Sequence, residues 1–312
     1  MTNKRKRKKI IKIIETIFVI AVLLVGICFV SYSTVITFIS DYSQTKVIDE
    51  YEESLKKQKQ DSIDRLKKKA EEYNNSVTNI VSINNDKKDN KVKSKTVYEI
   101  GELEGYITIP AIDIALPIYE GTLDNSLYMG VGHIPTTSLP PFGKNSTNGT
   151  HCVLAGHSAL SSATLFDDLD QLKLGDVFYI KFLNETYKYK VNKITPHIKP
   201  YDADEYIKSE KGKDYCTLLT CTPKTINTHR LLVRGIRVPV SKEEAEMNNI
   251  AHKLVKEKEQ RMNIIIFIVL ASILAFILIF VLLKVIRKQI RKRKLKSLES
   301  SSRKNISPGA KK

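Results

Sequence analysis

The sequence predicts an all-β domain that is held at the outer face of a membrane by two transmembrane helices. Between residues 106 and 238, short β-rich runs alternate with Gly, Pro, Asn and Asp, a texture typical of an all-β barrel or sandwich. Two long apolar stretches without charge lie towards the ends of the chain. A Lys- and Glu-rich segment with sparse apolar residues, 46–75, predicts one or two surface helices between the first stretch and the β-rich part.

The positive charge of the chain is concentrated at its ends. The 312 residues carry a formal net charge of +17, which alone would suit a nucleic-acid binder. Residues 1–15 hold seven Lys or Arg and one Glu, and residues 284–312 hold twelve Lys or Arg and one Glu. The residues between them carry equal numbers of basic and acidic side chains. The composition therefore gives no reason to expect a nucleic-acid partner.

Residues 16–40 and 262–283 have the length and composition of transmembrane helices. Roughly 20 apolar residues, at about 1.5 Å each, cross a hydrocarbon core of about 30 Å. The first stretch is longer than the apolar part of a cleaved signal peptide, usually ~7–15 residues, and no A-x-A site follows it. An uncleaved anchor is therefore favoured. Since Lys and Arg at span ends remain cytoplasmic, both termini are expected inside and residues 41–261 outside.

These features divide the chain into seven segments. The predicted segments are a cytoplasmic basic segment (1–15), a transmembrane helix (16–40), an extracellular helical stalk (41–99), a β-domain (100–240), a juxtamembrane linker (241–261), a second transmembrane helix (262–283) and a cytoplasmic basic tail (284–312). The external part is too long to be only a connector, so it is expected to carry the function.

The β-domain contains seven β-rich runs and one helical stretch. Asn184-Glu185 between two alternating runs predicts a hairpin turn, although it lacks the stronger Asn-Gly signal. Leucines at helical spacing within residues 163–176 predict one short helix that ends before Gly175. The predicted strands are 106–110, 116–119, 151–157, 176–183, 186–194, 216–221 and 230–238.

Four cysteines have different predicted environments. Cys28 lies inside the first apolar stretch, and Cys152, Cys216 and Cys221 lie outside the membrane. No C-x-x-C spacing occurs, so we expect no zinc site. Side chains on a strand alternate between faces, so Cys216 and Cys221, five residues apart, point in opposite directions. If Cys221 shares a face with His157, then Cys152 and Cys216 share the other face, as core thiols or, less favoured, as a disulfide.

Cys221, His157 and Arg230 are the candidate catalytic residues. Cys221 ends a strand just before Pro223, where a side chain is both fixed and accessible. A thiol needs a neighbouring cation or base to become a nucleophile. His157 ends its own strand and can balance a thiolate or protonate a departing amine. Arg230 begins the strand after Cys221, and it can hold a carbonyl or stabilise an oxyanion.

Other histidines and arginines are weaker candidates. His229 adjoins Arg230 but should point to the opposite face of its strand. His133 and His151 can be local structural residues. Arg234 has the parity of Arg230 but lies about 13 Å further along the strand, at roughly 3.3 Å per residue, and Arg237 lies further still.

At these motifs the chain resembles the sortases, the membrane-anchored cysteine transpeptidases of Gram-positive bacteria. The resemblance rests on TLLTC at 217–221, Arg230 nine residues later, and His157 upstream in a Gly-His turn. Four further segments and the second apolar stretch resemble the class C, pilus-building branch. These segments are LPIYEG (116–121), GHIPTTSLP (132–140), LFDDLDQLKLGDVFYI (165–180) and NTHRLLVRG (227–235).

The resemblance implies a closed eight-stranded sortase-type β-barrel with Cys221, His157 and Arg230 as its triad. It also implies cleavage of an LPxTG-type sorting signal between Thr and Gly through a thioacyl enzyme, without any metal or organic cofactor. The implied partners are LPxTG-bearing pilin or surface proteins and an amine acceptor. Class C enzymes usually carry a lid with an Asp-Pro-aromatic tripeptide, but residues 74–100 contain no Pro. Two alternatives remain for segment 41–99: the lid is absent, or another residue such as Tyr98 fills the role of the tripeptide. We make no prediction of autoinhibition.

Four functional interpretations remain open at the level of sequence. The leading one is a transpeptidase that joins pilin subunits through a lysine. The second is a sortase that attaches surface proteins to the cell-wall peptide, with the same triad and a different amine. The third is a non-enzymatic membrane receptor with a ligand-binding β-domain, in which Cys221 only packs. The fourth is a cysteine protease, in which water resolves the acyl enzyme.

Overall fold

Eight strands and four α-helices make up the part of the chain that the computed structural model describes, residues 2–77, 97–141 and 149–304. The α-helices are α1 (Thr2–Lys57), α2 (Gln60–Val77), α3 (Asp124–Met129) and α4 (Lys242–Lys304). The strands are β1 (Leu103–Ile109), β2 (Ile114–Glu120), β3 (Val131–His133), β4 (Thr150–Ala155), β5 (Val177–Phe182), β6 (Glu185–Ile198), β7 (Asp214–Thr222) and β8 (His229–Val238). Short 3-10 helices lie at Pro110–Ile112, Leu169–Gln171 and Pro200–Tyr206.

The strands close into one barrel in the order β1-β2-β3-β4-β7-β8-β6-β5. β2 pairs with β3, and β4 pairs with β7, in parallel, whereas the other neighbours are antiparallel. A closed sheet has no unpaired edge, so every strand finds a partner on both sides. The closed eight-stranded barrel implied by the family resemblance is thereby confirmed.

The barrel interior is filled by alternating side chains of the strands. β5 shows the period of two most clearly, since Phe178, Ile180 and Phe182 are buried and the residues between them are half-buried. Phe178 stacks on Tyr189 of β6 with ring centroids 5.4 Å apart. Cys152 and Cys216 are register partners in the β4–β7 pair, and both are buried, free thiols. The core-thiol interpretation is confirmed, and the disulfide alternative is wrong.

Three local predictions differ from the structure. The three-residue strand β3 was missed because Val131–His133 is too short to show a period. The β5–β6 turn lies at Leu183-Asn184 rather than at Asn184-Glu185, because Phe182 pairs with Glu185 and Leu183 takes a φ of 51°. Residues 163–176 form turns and a 3-10 helix rather than an α-helix, yet their three spaced leucines are all buried.

The all-β class holds for residues 103–238 but not for the whole chain. α1 is one continuous helix of 56 residues that includes the predicted basic segment, the first predicted span and part of the stalk. α4 is a helix of 63 residues that includes the predicted linker and second span. The chain divides into one compact unit, Met1–Gln260, and a second, Arg261–Lys312.

One of the two expected membrane spans is found among the described side chains. Ile266–Lys292 forms 27 helical residues with a mean hydropathy of 3.4, long and apolar enough to cross a membrane. This segment overlaps the predicted span 262–283. Residues 16–40 are helical but are not identified as a span, and many of their side chains lie outside the described residues. The expectation of two spans is therefore supported only at the carboxyl end.

The carboxyl-terminal part of α1 packs directly against the barrel wall. The hydroxyl of Tyr51 donates to the carbonyl oxygen of Glu104 on β1 at 2.7 Å and accepts from the amide of Leu183 at 2.9 Å. The hydroxyl of Tyr106 donates to Glu52 at 2.9 Å, and the Tyr51 and Tyr106 rings meet edge to face. These buried bonds fix the helix on the β1–β5 side of the barrel.

α2 is fastened to the segment that follows β3. The side-chain amide of Asn74 donates to the carbonyl oxygen of Leu139 and accepts from its amide, at 3.0 Å and 2.8 Å. The Tyr73 hydroxyl donates to the carbonyl oxygens of Pro135 and Thr137. Lys67 pairs with Glu185 at 2.6 Å. The part of the predicted stalk formed by α2 is thus packed on the folded unit that contains the barrel.

His151 is a buried structural residue on β4. Its Nδ1 donates to the Lys208 carbonyl oxygen at 2.9 Å, so its Nε2 accepts from the Thr217 hydroxyl at 2.7 Å. Burial lowers the pKa of His151 to about 4. In this arrangement the imidazole of His151 is neutral, because one ring nitrogen donates and the other accepts. The bond to Thr217 connects β4 to β7.

We expect Tyr51→Phe to lower the free energy of unfolding by about 2–4 kcal/mol, because the buried Glu104 carbonyl and Leu183 amide lose their partner. Urea unfolding of the full chain in detergent, followed by near-UV circular dichroism, measures the change. Tyr201→Phe removes a hydroxyl from a ring that is 81% exposed and serves as the control. An unchanged midpoint in Tyr51→Phe would show that this hydroxyl does not dock α1.

We expect His151 to make the fold sensitive to acid. Its folded-state pKa of about 4 lies below the ordinary value of 6.5, so the stability that it contributes is complete above pH 6.5 and is lost as pH falls towards 4. Between pH 7 and pH 5 this loss is about 2 kcal/mol. Between these two pH values, the free energy of unfolding should fall by about 2 kcal/mol less in His151→Gln than in the wild type. In the control His197→Asn, at an exposed position, the free energy of unfolding should depend on pH as it does in the wild type. Equal slopes in all three proteins would contradict the assignment.

Candidate active site

Cys221 and Arg230 face each other across the β7–β8 pair. The two residues are register partners in this antiparallel ladder, one pair inside the end formed by Thr222 and His229. Directly opposed residues present their side chains on the same face, with Cα atoms about 5 Å apart. The backbone pairing of β7 and β8 therefore confirms the prediction that the strand after Cys221 brings Arg230 beside it.

His157 lies beside Cys221 on the other side of β7. β4 runs parallel to β7 with Ala155 opposite Leu219, and the amide of Gly156 donates to the Leu219 carbonyl oxygen at 3.0 Å. Two positions further on, the hydroxyl of Ser158 donates to the carbonyl oxygen of Cys221 at 2.7 Å. These bonds hold the Gly-His-Ser segment along the end of β7, with His157 next to Cys221.

The site lies on the outer face of the barrel wall. Cys152 and Cys216 point into the core from β4 and β7, and Cys221 lies five positions further along β7. An odd separation along a strand reverses the face, so Cys221 points outward. Cys221, His157 and Arg230 are each half-buried. Such side chains are fixed by the barrel and still reachable from solvent.

Two neighbouring segments border the site. The Tyr128 ring on α3 lies 5.6 Å from the His157 ring, and Tyr128 is 51% exposed. Lys224 in the β7–β8 loop lies 3.5 Å from carboxylate oxygens of Asp168 and Asp170. α3 therefore borders the site beside His157, and the β7–β8 loop, which joins Cys221 to Arg230, is held against Asp168 and Asp170.

The turn after His157 is held by local bonds. The His157 carbonyl oxygen accepts from the Phe166 amide at 3.0 Å, and the Ala159 amide donates to Asp167 at 2.6 Å. Ala159 takes a φ of 59°, which marks a sharp reversal of the chain after the histidine. The segment is thus fixed on both sides of the imidazole.

The guanidinium of Arg230 is oriented by its own loop. Its Nη1 donates to the carbonyl oxygens of Asn227 and His229 at 3.2 Å and 3.1 Å. Among the described residues, no carboxylate lies within salt-bridge distance of Arg230, so its positive charge is not neutralised by a fixed partner there. A guanidinium held in this way can receive an anion or a polarised carbonyl.

The weaker candidates are occupied elsewhere. Arg234 lies over the Tyr215 ring at 4.1 Å and approaches Glu210 at 3.6 Å. His229 pairs with Thr222 in the ladder, beyond Cys221, and its ring meets that of His197. His151 is the buried residue described above. The buried, hydrogen-bonded position of His151 agrees with the structural role considered for it from the sequence.

His133 belongs to a buried cluster with Glu104 and Glu120, inside the barrel. Its Nδ1 lies 3.4 Å from Glu104 and 3.3 Å from Glu120. Burial raises the pKa of Glu104 to about 8. Burial opposes protonation of His133, but the carboxylates outweigh it and raise the pKa of the imidazole well above its ordinary value. Sequence reasoning did not find this cluster, because its members come from three separate strands.

Sequence reasoning also missed Tyr128 and Ser158, which contact His157 and Cys221 respectively. α3 has only six residues, which are too few to show a helical period in the sequence. The sequence therefore carries no indication that Tyr128 lies near His157. Ser158 follows His157 directly, but only the parallel pairing of β4 and β7 reveals its bond to the Cys221 backbone. Neither residue carries a local signal for its position.

The combination of groups is suited to acyl transfer. A thiolate is a strong nucleophile towards a carbonyl carbon, and an imidazole can protonate the amine that departs. A guanidinium donor can stabilise the negative charge on the carbonyl oxygen. Three half-buried neighbouring residues are able to supply these three functions.

Several known proteins are similar in sequence to the part of the chain that contains the barrel. The sortase domain family model matches residues 107–238. Sortase A of Staphylococcus aureus is 32% identical over 156 residues, which cover 49% of this chain and 70% of that protein. Sortase A of Bacillus anthracis is 30% identical over 134 residues, 42% of this chain, and the match spans 58% of that relative.

Solved structures of class C enzymes are similar over the folded unit. Sortase C-1 from Streptococcus pneumoniae superposes with a TM-score of 0.56 at 38% identity, covering 63% of this chain and 100% of that chain. Sortase C of Clostridium perfringens, solved with the C-terminal cell wall sorting motif, gives a TM-score of 0.53 at 41% identity, again over 63% and 100%. The chain therefore belongs to the sortase family of cysteine transpeptidases.

Proposed function

We propose that the protein is a membrane-anchored transpeptidase that cleaves LPxTG-type sorting signals between Thr and Gly and joins the acyl group to a lysine of a pilin subunit. The observation that carries the proposal is the shared position of Cys221, His157 and Arg230 at one end of β7. The similarity to class C enzymes, one of them solved with a cell wall sorting motif, supports the substrate class.

In the first half-reaction, the thiolate of Cys221 attacks the threonine carbonyl carbon of the sorting signal. A thioester forms, the Thr–Gly C–N bond breaks, and the imidazolium of His157 gives a proton to the departing glycine amine. Arg230 holds the carbonyl oxygen while it carries negative charge, an effect worth about 3–4 kcal/mol for one donor. Tyr128, beside His157, contributes apolar surface to the wall of the groove.

In the second half-reaction, a lysine amine attacks the thioester. An isopeptide bond forms, the Cys221 thiolate leaves, and His157 takes the proton that the amine loses. The enzyme returns to its starting state, so no cofactor is consumed. The acceptor must enter the same half-buried groove, which is open to solvent on the outer face of the barrel.

Anchoring at the membrane fits this reaction. The candidate span Ile266–Lys292 supports membrane anchoring. The two-pass arrangement with cytoplasmic termini and an extracellular barrel is the part of the proposal that rests on the sequence alone, on the apolar stretch 16–40 and the basic residues at both chain ends. The bonds from Tyr51 and Asn74 fix α1 and α2 on the barrel. In this arrangement the site faces substrates that are themselves held at the cell surface.

We expect Cys221→Ala to abolish covalent polymerisation of an LPxTG-bearing pilin, because the thioester cannot form. The full chain in membranes is incubated with the pilin, the ladder is resolved by denaturing electrophoresis, and the cross-link is identified by mass spectrometry. Ser161→Ala, at an exposed position of the loop after His157, is the control and should retain the ladder. Polymerisation by Cys221→Ala would overturn the proposal.

The nature of the product tests the acceptor separately. A lysine isopeptide between pilin subunits supports pilus polymerisation. Attachment to the cell-wall peptide alone would retain the transpeptidase chemistry and refute the pilin acceptor. Release of a free threonine carboxylate as the only product would indicate a protease.

We expect Arg230→Lys to lower kcat/KM for an LPxTG peptide and an amine acceptor by about 100-fold, because a lysine keeps the charge but loses the planar set of donors. Arg234→Lys makes the same change on the same face of β8, over the Tyr215 ring, and should leave kcat/KM largely unchanged. Rates are measured by separating the peptide products. Equal rates in the two variants would contradict the role given to Arg230.

A further inference from the structure

A cluster of two carboxylates and one imidazole lies inside the barrel and has no part in the proposed reaction. Glu120 on β2 and His133 on β3 are register partners, and Glu104 lies at an irregularity of β1 between Leu103 and Gly105. The ligand atoms of the three side chains lie within 4.8 Å of one another. Each residue is at most 2% exposed, so water does not stabilise their charges.

The tautomer of His133 is determined by the groups around Nε2. The Ser138 carbonyl oxygen, 3.3 Å from Nε2, can only accept a hydrogen bond. The Thr137 hydroxyl, 3.2 Å from Nε2, already donates to the Ile134 carbonyl oxygen at 2.8 Å, so it also accepts from the ring. Nε2 therefore carries the hydrogen. In the neutral ring, Nδ1 has a lone pair.

Nδ1 faces two acceptors, to which it can donate a hydrogen bond only when the ring is an imidazolium. Nδ1 lies 3.4 Å from Oε1 of Glu104 and 3.3 Å from Oε2 of Glu120. Among the described residues, Oε1 of Glu104 and Oε1 of Glu120 are buried and make no hydrogen bond of good geometry, and the two carboxyl groups lie close enough to each other to share a proton. Burying unpaired carboxylates is very costly. The cluster therefore requires two positive charges, which two protons or one divalent cation can supply.

We propose that Glu104, Glu120 and His133 form a buried binding site for a divalent cation of the zinc class. A tetrahedral ion with bonds of about 2.0–2.1 Å separates its ligand atoms by about 3.3–3.4 Å. The distances from Nδ1 to the two carboxylate oxygens have this value. Two carboxylates and a neutral imidazole also neutralise the charge of the ion.

The arrangement around the imidazole is that of a metal-binding histidine. The ring nitrogen away from the ligand atoms donates to a backbone carbonyl and a hydroxyl, which fixes the tautomer and the plane of the ring. A nitrogen and carboxylate set of three suits zinc better than calcium or magnesium, which prefer six or more oxygen ligands. Such an ion would join β1, β2 and β3 from inside the barrel.

The proposal departs from the expectation of no metal, which rested on cysteine spacing and on the family resemblance. It is also independent of the proposed transpeptidase function, because the cluster faces the core and Cys221 lies on the outer face. Zinc could bind Cys221 and His157 directly, so the measurements are made in the Cys221→Ala background. Loss of activity in that background does not affect the outcome.

The full chain is produced in medium depleted of metal and in medium supplemented with Zn²⁺ or Co²⁺, and is purified in detergent. We expect about one equivalent of zinc by mass spectrometry of the elements, and a higher melting temperature for the zinc-loaded protein. The cobalt-loaded protein should show the visible absorption of tetrahedral Co²⁺ without the near-ultraviolet band of a thiolate ligand. Such a band would assign the ion to Cys152 and Cys216 and overturn the proposal.

Glu120→Gln tests the ligand set, because it keeps the shape of the side chain and removes its charge. We expect its zinc content to fall at least tenfold, while Glu102→Gln, at an exposed position beside β1, retains the wild-type content. Equal zinc content in the two variants would overturn the proposal. So would a folded protein with an unsubstituted cluster that contains no metal after growth with zinc, since two protons then occupy the cluster; this measurement does not depend on the folding of any cluster variant.

Discussion

The pairing of β7 with two different neighbours is the constraint on which the site depends. β7 runs parallel to β4 as far as Leu219 and antiparallel to β8 as far as Thr222, and neither register is interrupted by a bulge. A shift of one residue in either ladder would turn a side chain to the opposite face. The thiol and the guanidinium come from β7 and β8, the imidazole comes from the segment just after β4, and this pair of registers brings them to one edge of the wall.

The same alternation that exposes Cys221 buries Cys152 and Cys216. Their thiols lie opposite each other in the β4–β7 pair and fill part of the core. The chain thus uses one residue type for packing on the inner face and, in the proposed mechanism, for nucleophilic attack on the outer face. Accessibility separates the two roles, because a thiol buried in an apolar core is chemically inert.

The barrel interior is not uniformly apolar. Glu104, Glu120 and His133 form a polar group on β1, β2 and β3, and the aromatic stack of Phe178 on Tyr189 lies on strands of the other side. A buried polar group of this kind is stable only when its charges are balanced. Whether protons or a cation balance them, the group connects three neighbouring strands and also contributes to a single register among them.

Much of this organisation follows from sequence alone. The strand runs, the parity of the cysteines and the separation of Cys221 from Arg230 are local patterns, because a strand alternates its faces every residue. Apolar length and flanking charge likewise indicate the membrane segments, although only Ile266–Lys292 is found as a span. β3 and α3 could not be predicted from sequence patterns, because segments of three and six residues are too short to show a period.

What the tertiary structure decided is the set of contacts between residues distant in the chain. The parallel pairing of β4 with β7 joins His157 to Cys221 across more than sixty positions, and no local pattern encodes that choice of partner. The Glu104, Glu120 and His133 cluster likewise exists only after three strands have closed side by side. Sequence determines the face on which a strand presents each side chain, whereas closure of the barrel decides which strands become neighbours, because that depends on the packing of the whole core.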